Sequence, residues 1–209
     1  MKKETNPLVI IIIILLAAIV GLMIYNGSKN KTGATAVDQH NHSPAASRVA
    51  APPKDLTNQP APDFALTDRD EKIYALNELR GKNIVLFFNE GLMCYPACWN
   101  QIVSLSKDER FKNNDTVVLS VVVDSPQDWQ SAIEKMPELA AATVVFDKNA
   151  TISNKFGVLT LASSMHYGSL PGHTFIIIDK AGTIRYVFDD PQLGILNNQL
   201  ATEIEKLNK

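Results

Sequence analysis

Beyond Pro60 the apolar residues of this chain arrive in short runs divided by polar turns, and the runs switch between two spacings. Phe64-Ala-Leu-Thr67 and Ile73-Tyr-Ala-Leu76 flank the polar stretch Asp68–Lys72, which predicts two paired strands. Asn77–Gly81 reads as a helical turn closed by glycine, and Ile84–Phe88 as the next strand. Trp99, Ile102, Val103 and Leu105 then recur at helical spacing, predicting a helix that ends near Asp108. Thr116–Val123 is a β-branched apolar run, the pattern of a central strand covered on both faces. Ser125-Pro126 opens a helix to about Met136, with serine as cap and proline in the first turn. Thr143–Phe146 predicts a strand and Thr151–Phe156 a short helix. Two strands, Thr174–Ile178 and Thr183–Phe188, follow around the turn Asp179–Gly182. Asn197–Leu207 closes as an amphipathic helix with Leu200, Ile204 and Leu207 on one face. Strands alternating with helices predict an α/β sheet with a parallel core and an antiparallel end.

The N-terminal pattern is different. Leu8–Tyr25 is an uncharged apolar run of 18 residues, long enough to span a bilayer as a helix. Lys2 and Lys3 precede it, which predicts residues 1–7 as a cytoplasmic stub, 8–25 as an anchor and everything beyond on the outer side. Ala34-Thr35-Ala36 has the form of a signal-peptide cleavage site. It lies well beyond the apolar run, so the uncleaved single-pass anchor is the favoured expectation. Residues 26–59, rich in Ala, Ser, Asn, Thr and Pro, read as a flexible tether, with His40 and His42 as solvated members. Residues 60–209 are the folded domain. It faces an oxidising compartment, where a disulfide is chemically admissible.

Charge and composition narrow the function. A net charge of −2 with a pI near 6.1 argues against nucleic-acid binding. The sequence has no glycine-rich phosphate loop and no paired zinc-type cysteine motifs. It has two cysteines, both in the run Met93-Cys94-Tyr95-Pro96-Ala97-Cys98-Trp99 at a predicted strand-to-helix junction. A helix N-terminus favours an anion, so a thiolate there has a lowered pKa and is the reactive species. The pattern predicts Pro96 in the first helical turn, Cys94 just before or at the helix start, and Cys98 one turn inside. A disulfide closing so short a loop removes little unfolded-chain entropy, so structural bracing is a poor reason for it.

Residues 60–209 resemble a thioredoxin-fold domain of the alkyl hydroperoxide reductase/thiol-specific antioxidant (redoxin, peroxiredoxin-like) group. The resemblance rests on Ala61-Pro62-Asp63-Phe64-Ala65-Leu66, on Leu79-Arg80-Gly81-Lys82, and on the Thr174–Gly182 hairpin TFIIIDKAG. It implies a central mixed sheet flanked by helices and a redox-active centre. Three departures accompany it. Three residues separate the cysteines, where thioredoxins have two. The positions three residues before each cysteine, where peroxiredoxins place Thr or Ser, hold Gly91 and Tyr95, and the position of the later arginine falls on Gly172; these argue against peroxidase activity. Pro171 stands one residue farther from the hairpin than the proline that faces the cysteines in this fold. The C-x-x-x-C spacing also resembles Sco-type copper proteins, which add a distant histidine. His173, just before Thr174, is in roughly that region, with Trp99 and Gly172 departing from the Sco pattern.

Two chemistries follow. In thiol–disulfide exchange Cys94 is the exposed attacking thiolate and Cys98 resolves the mixed disulfide, with no cofactor and with a protein thiol, disulfide or electron donor as partner. Glu90 is the nearest candidate for proton handling, against the plainer reading of a solvated loop carboxylate. Tyr95, Pro96 and Trp99 shape the approach surface, with core packing the first reading for Trp99. In the alternative, copper binds through Cys94, Cys98 and His173, with Met93, Met165 and His166 as further donors nearby.

Overall fold

The computed structural model describes residues 56–208. The predicted anchor at 8–25 and nearly all of the predicted tether lie outside them, and among the described residues no helix is long and apolar enough to cross a membrane.

Seven strands form one sheet: β1 Ala65–Asp68, β2 Ile73–Ala75, β3 Asn83–Phe88, β4 Thr116–Val122, β5 Val144–Phe146, β6 Thr174–Ile178 and β7 Ile184–Asp189. Their order is β2-β1-β5-β4-β3-β6-β7. β3, β4 and β5 run parallel, and β6 pairs antiparallel with β3. The parallel core is the one the hydrophobic pattern predicts, but the sheet is antiparallel at both ends, through β6 and β7 on one side and β1 and β2 on the other. Among the described residues four α-helices accompany the sheet: α1 Ala97–Lys107, α2 Pro126–Lys135, α3 Thr151–Lys155 and α4 Asn197–Leu207.

The alternating side chains of the central strands supply two cores. Val85 and Phe87 of β3 and Phe175 and Ile177 of β6 face Trp99, Ile102 and Leu105 of α1, Trp129 of α2, and Leu200 and Ile204 of α4. Ile84, Leu86 and Phe88, with Leu119, Val121, Ile176 and Ile178, face Phe64, Leu66, Ile152 and Phe156. Every residue of β3 is buried, as befits a strand covered on both faces. Ser125 caps α2 by accepting from the Asp128 N–H, with Pro126 following, as the sequence predicts.

Two boundaries differ from expectation. Residues 56–59, assigned to the tether, pack on the domain: the Asn58 N–H donates to the Ile184 carbonyl at 2.7 Å, and the Ile184 N–H to the Gln59 carbonyl at 2.9 Å. They lie beside the sheet edge next to the isolated bridge between Pro60 and Thr183, and Leu56 is partly buried against the second core. The helix carrying the cysteines also begins later than predicted. Gly91–Cys94 form a separate 3-10 turn, Tyr95–Pro96 is a cis peptide, and Pro96 occupies the cap position before α1. Cys98, not Cys94, is therefore the sulfur in the first turn of the helix.

Candidate active site

β3 and β6 bring the site together. Phe88 at the end of β3 pairs with Thr174 at the start of β6, so the chain that leaves β3 toward the cysteines emerges beside the chain that enters β6 from Pro171-Gly172-His173. Cys94 and Cys98 are joined in a disulfide with Cα atoms 5.4 Å apart. Both are buried, Cys94 at 4% exposure and Cys98 at 0%, which corrects the expectation of an exposed Cys94 thiol. The cause is the 3-10 turn, which tucks Cys94 inward and leaves its neighbours Met93 and Tyr95 exposed at 58% and 61%.

His173 lies against the second sulfur, with Nδ1 3.4 Å from Cys98 Sγ. Its Nε2 is 3.2 Å from the Gly194 carbonyl. A carbonyl only accepts, so Nε2 carries the hydrogen and Nδ1 presents a lone pair to the sulfur, an assignment made from the hydrogen bonds. The ring meets Phe87 and Phe175 edge-on, with centroids 4.6 and 5.2 Å away. Burial pushes its pKa down to about 4, against the opposing pull of the Asp190 charge, the Gly194 carbonyl and the Asp189 charge. His173 is thus a neutral imidazole at pH 7. The two sulfurs and an imidazole nitrogen all lie within 4.8 Å of one another.

The remaining expected site residues divide. Trp99 is a core residue: it is buried, packs edge-on to Trp129, and donates from Nε1 to the Gly91 carbonyl at 3.0 Å, holding the 3-10 turn to α1. Tyr95 lies edge-on to Trp99 on the surface, and Pro96 is exposed beside it. Pro171 is buried in the segment leading to His173. Glu90 is neither solvated nor bonded to the thiols. Its buried carboxylate binds the facing loop, with Oε1 accepting from the Met165 N–H at 2.6 Å and the His166 N–H at 2.9 Å, and Oε2 2.9 Å from His166 Nδ1. A buried carboxylate must find such donors, and this loop supplies them. Met93 and Met165 are exposed and His166 is engaged by Glu90.

Two residues the sequence did not single out, Asp124 and Asp189, support the site, as does Gly172, which the sequence marks only as a departure from family patterns. Asp124 lies after β4, and its Oδ2 accepts from the Leu92 N–H at 3.2 Å, anchoring the 3-10 turn. Asp189 accepts from the Ser163 N–H and hydroxyl and from the Thr174 hydroxyl. Gly172 is packed so tightly on Ser163 and Ser164 that an added Cβ would lie 2.0 Å from Ser163 Oγ and 2.4 Å from the Ser164 nitrogen. No signal in one sequence reports these contacts, because each partner lies on a distant segment.

Residues 57–187 match the AhpC/TSA family. Chloroplastic peroxiredoxin Q of Gentiana triflora is 27% identical over 135 residues, covering 62% of this chain and 57% of that protein. The bcp peroxiredoxin of Haemophilus influenzae is 31% identical over 141 residues, covering 66% and 87%. The match thus spans a little over half the length of the plant relative. Among solved structures, the mitochondrial 2-Cys peroxiredoxin of Plasmodium falciparum superposes with a TM-score of 0.60 at 23% identity, covering 73% of this chain and 95% of that one. Mycobacterium bovis AhpC gives 0.61 at 18% identity, covering 74% and 98%. The fold is therefore thioredoxin-like, and the chain belongs to the AhpC/TSA family.

Proposed function

We propose that this protein is a membrane-anchored, outward-facing thiol–disulfide oxidoreductase that cycles between a dithiol and the Cys94–Cys98 disulfide. The observation that carries the reading is the closed disulfide at a strand-to-helix junction, with a neutral imidazole nitrogen against one of its sulfurs. The uncharged run Leu8–Tyr25 supports the anchor and the outward orientation. A partner protein's thiol or disulfide is the co-reactant. Cys94, nearer the surface and flanked by exposed Met93 and Tyr95, is the sulfur that meets it; Cys98, fully buried on His173, resolves the mixed disulfide. The relatives named peroxiredoxins favour peroxide as a further oxidant. The glycines at 91 and 172 weigh against it, since neither offers a side chain to polarise a peroxide.

Cys94→Ser and Cys98→Ser test the reading in redox buffers of graded potential. Each substitution is expected to abolish the reversible two-electron couple, with hydrogen peroxide consumption assayed alongside. A single variant that still cycles with wild-type stoichiometry would sink the assignment.

Copper handling is the second reading, favoured by the three donors within 4.8 Å. Two thiolates and an imidazole suit Cu(I), and the bare Nδ1 is already turned toward the sulfur. Cys94, Cys98 and His173 would hold the ion once the disulfide is reduced. Competition titration of the reduced protein with Cu(I) decides it: tight one-to-one binding that weakens in His173→Ala supports copper, and weak binding indifferent to His173 rejects it.

A further inference from the structure

We propose that Asp190 is a positioning residue for the redox centre: through the loop it ties, it holds the Gly194 carbonyl on His173 Nε2 and so keeps a bare Nδ1 facing Cys98. The inference rests on the dithiol reading and deepens it.

A neutral imidazole has one N–H and one acceptor nitrogen, and which is which depends on the partner of the other nitrogen. Around His173 that partner is the Gly194 carbonyl. The aromatic neighbours Phe87 and Phe175 offer no conventional hydrogen bond, so they limit the ring's position without choosing its tautomer. The choice falls to a loop carbonyl just beyond β7.

Asp190 builds that loop. Its Oδ1 accepts from the Gln192 N–H at 3.0 Å and its Oδ2 from the Gly194 N–H at 2.7 Å. Its carbonyl accepts from the Leu193 N–H at 3.1 Å, and Leu193 sits in the left-handed region at φ 52°. Its own N–H donates to the His173 carbonyl at 2.9 Å. One residue therefore ties the backbone of His173 to the loop whose carbonyl orients the His173 ring. Asp190 is 5% exposed, and its neighbour Asp189 is committed elsewhere, to Ser163 and Thr174.

The chemistry needs this. Cys98 is fully buried, and His173 Nδ1 lies 3.4 Å from its sulfur. When Cys94 carries a partner protein as a mixed disulfide, Cys98 must lose its proton to attack. The Cys98 S–H proton passes to His173 Nδ1, and the electron pair left on Cys98 sulfur forms the Cys94–Cys98 bond. The bond from Cys94 to the partner sulfur breaks, and the partner leaves as a thiolate that takes up the proton His173 accepted. Cys94 and Cys98 are together oxidised by two electrons and the partner disulfide is reduced to two thiols. With the hydrogen on Nδ1 instead, the ring would donate toward sulfur and carry its lone pair on Nε2, turned to the Gly194 carbonyl and away from the thiol.

The experiment uses the full chain with 15N-labelled histidine. In the wild type, long-range 1H–15N correlation is expected to show His173 with hydrogen on Nε2 alone. Asp190→Ala is expected to give mixed tautomers and to slow disulfide closure, followed after mixing with oxidised glutathione, by about tenfold or more, a fraction of the usual 10²–10⁴-fold general-base contribution. Asp190→Asn, which keeps one acceptor oxygen, should be intermediate and serves if the alanine variant does not fold. In a His173→Ala background either Asp190 substitution should slow closure no further. Slowing that persists without His173, or a tautomer and rate unchanged by Asp190→Ala, overturns the proposal. Failure of the wild type to close the disulfide at all would instead overturn the dithiol reading beneath it.

Discussion

Burial beside Cys98 holds His173 neutral, and that has a cost in acid. Its pKa is about 4 in the folded chain and near 6.5 when unfolded. Above pH 6.5 neither state binds the proton. As pH falls from 6.5 toward 4, the unfolded chain takes a proton the folded chain refuses, so stability falls and levels off below 4. The full effect is on the order of 3 kcal/mol. Denaturant titrations of the oxidised protein across this range should show the slope, and His173→Phe should flatten it; an unchanged slope in that variant would assign the acid sensitivity to other groups. Single residues were unevenly legible. Cys94 and Cys98 stood out because the chain has no other thiol, and His173 because it precedes a predicted strand. The role of Glu90 is not legible, since nothing near it in sequence announces that its partners are the N–H groups of residues 165 and 166.

The 3-10 turn of Gly91–Cys94 is the element on which the disulfide depends. Gly91 has φ 56°, and a Cβ there would lie 1.6 Å from Asp124 Oδ2, the oxygen that accepts from Leu92. Gly91→Ala should therefore cost at least ~1–3 kcal/mol through backbone strain, with the displaced carboxylate adding to it. Chemical denaturation measures the loss, and a variant within a few tenths of wild type would show that the turn relaxes freely. Periodicity missed this turn because one 3-10 turn is too short to show a repeat. The regular elements are readable, each from a different signal: β3 from its unbroken apolar run, the start of α2 from the Ser125-Pro126 cap, and α4 from its apolar residues at helical spacing.

At the scale of the molecule, the folded unit reaches back to Leu56. A chain trimmed to begin at residue 56 should unfold cooperatively and be more stable than one beginning at Pro60. The shorter chain lacks the two backbone hydrogen bonds to Ile184 and the Leu56 contact, a loss of about 1–3 kcal/mol at ~0.5–1.5 kcal/mol per bond. Equal stability of the two would restore the boundary at Pro60. The sheet order was legible only as a class. A sequence shows that strands exist, while their neighbours are chosen by contacts between distant segments.

The pairing of Phe88 with Thr174 has one more consequence. Cys98 and His173 are 75 positions apart in the chain, yet their meeting is set by a ladder rung and owes nothing to that count. Loops between α1 and β6 can lengthen or shorten without parting sulfur from imidazole, whereas one residue inserted within β6 itself would turn His173 to the opposite face of the sheet. Relatives sharing this site are therefore to be sought by a positional grammar: a cysteine pair directly after one strand, and a histidine directly before the strand antiparallel to it, at any separation.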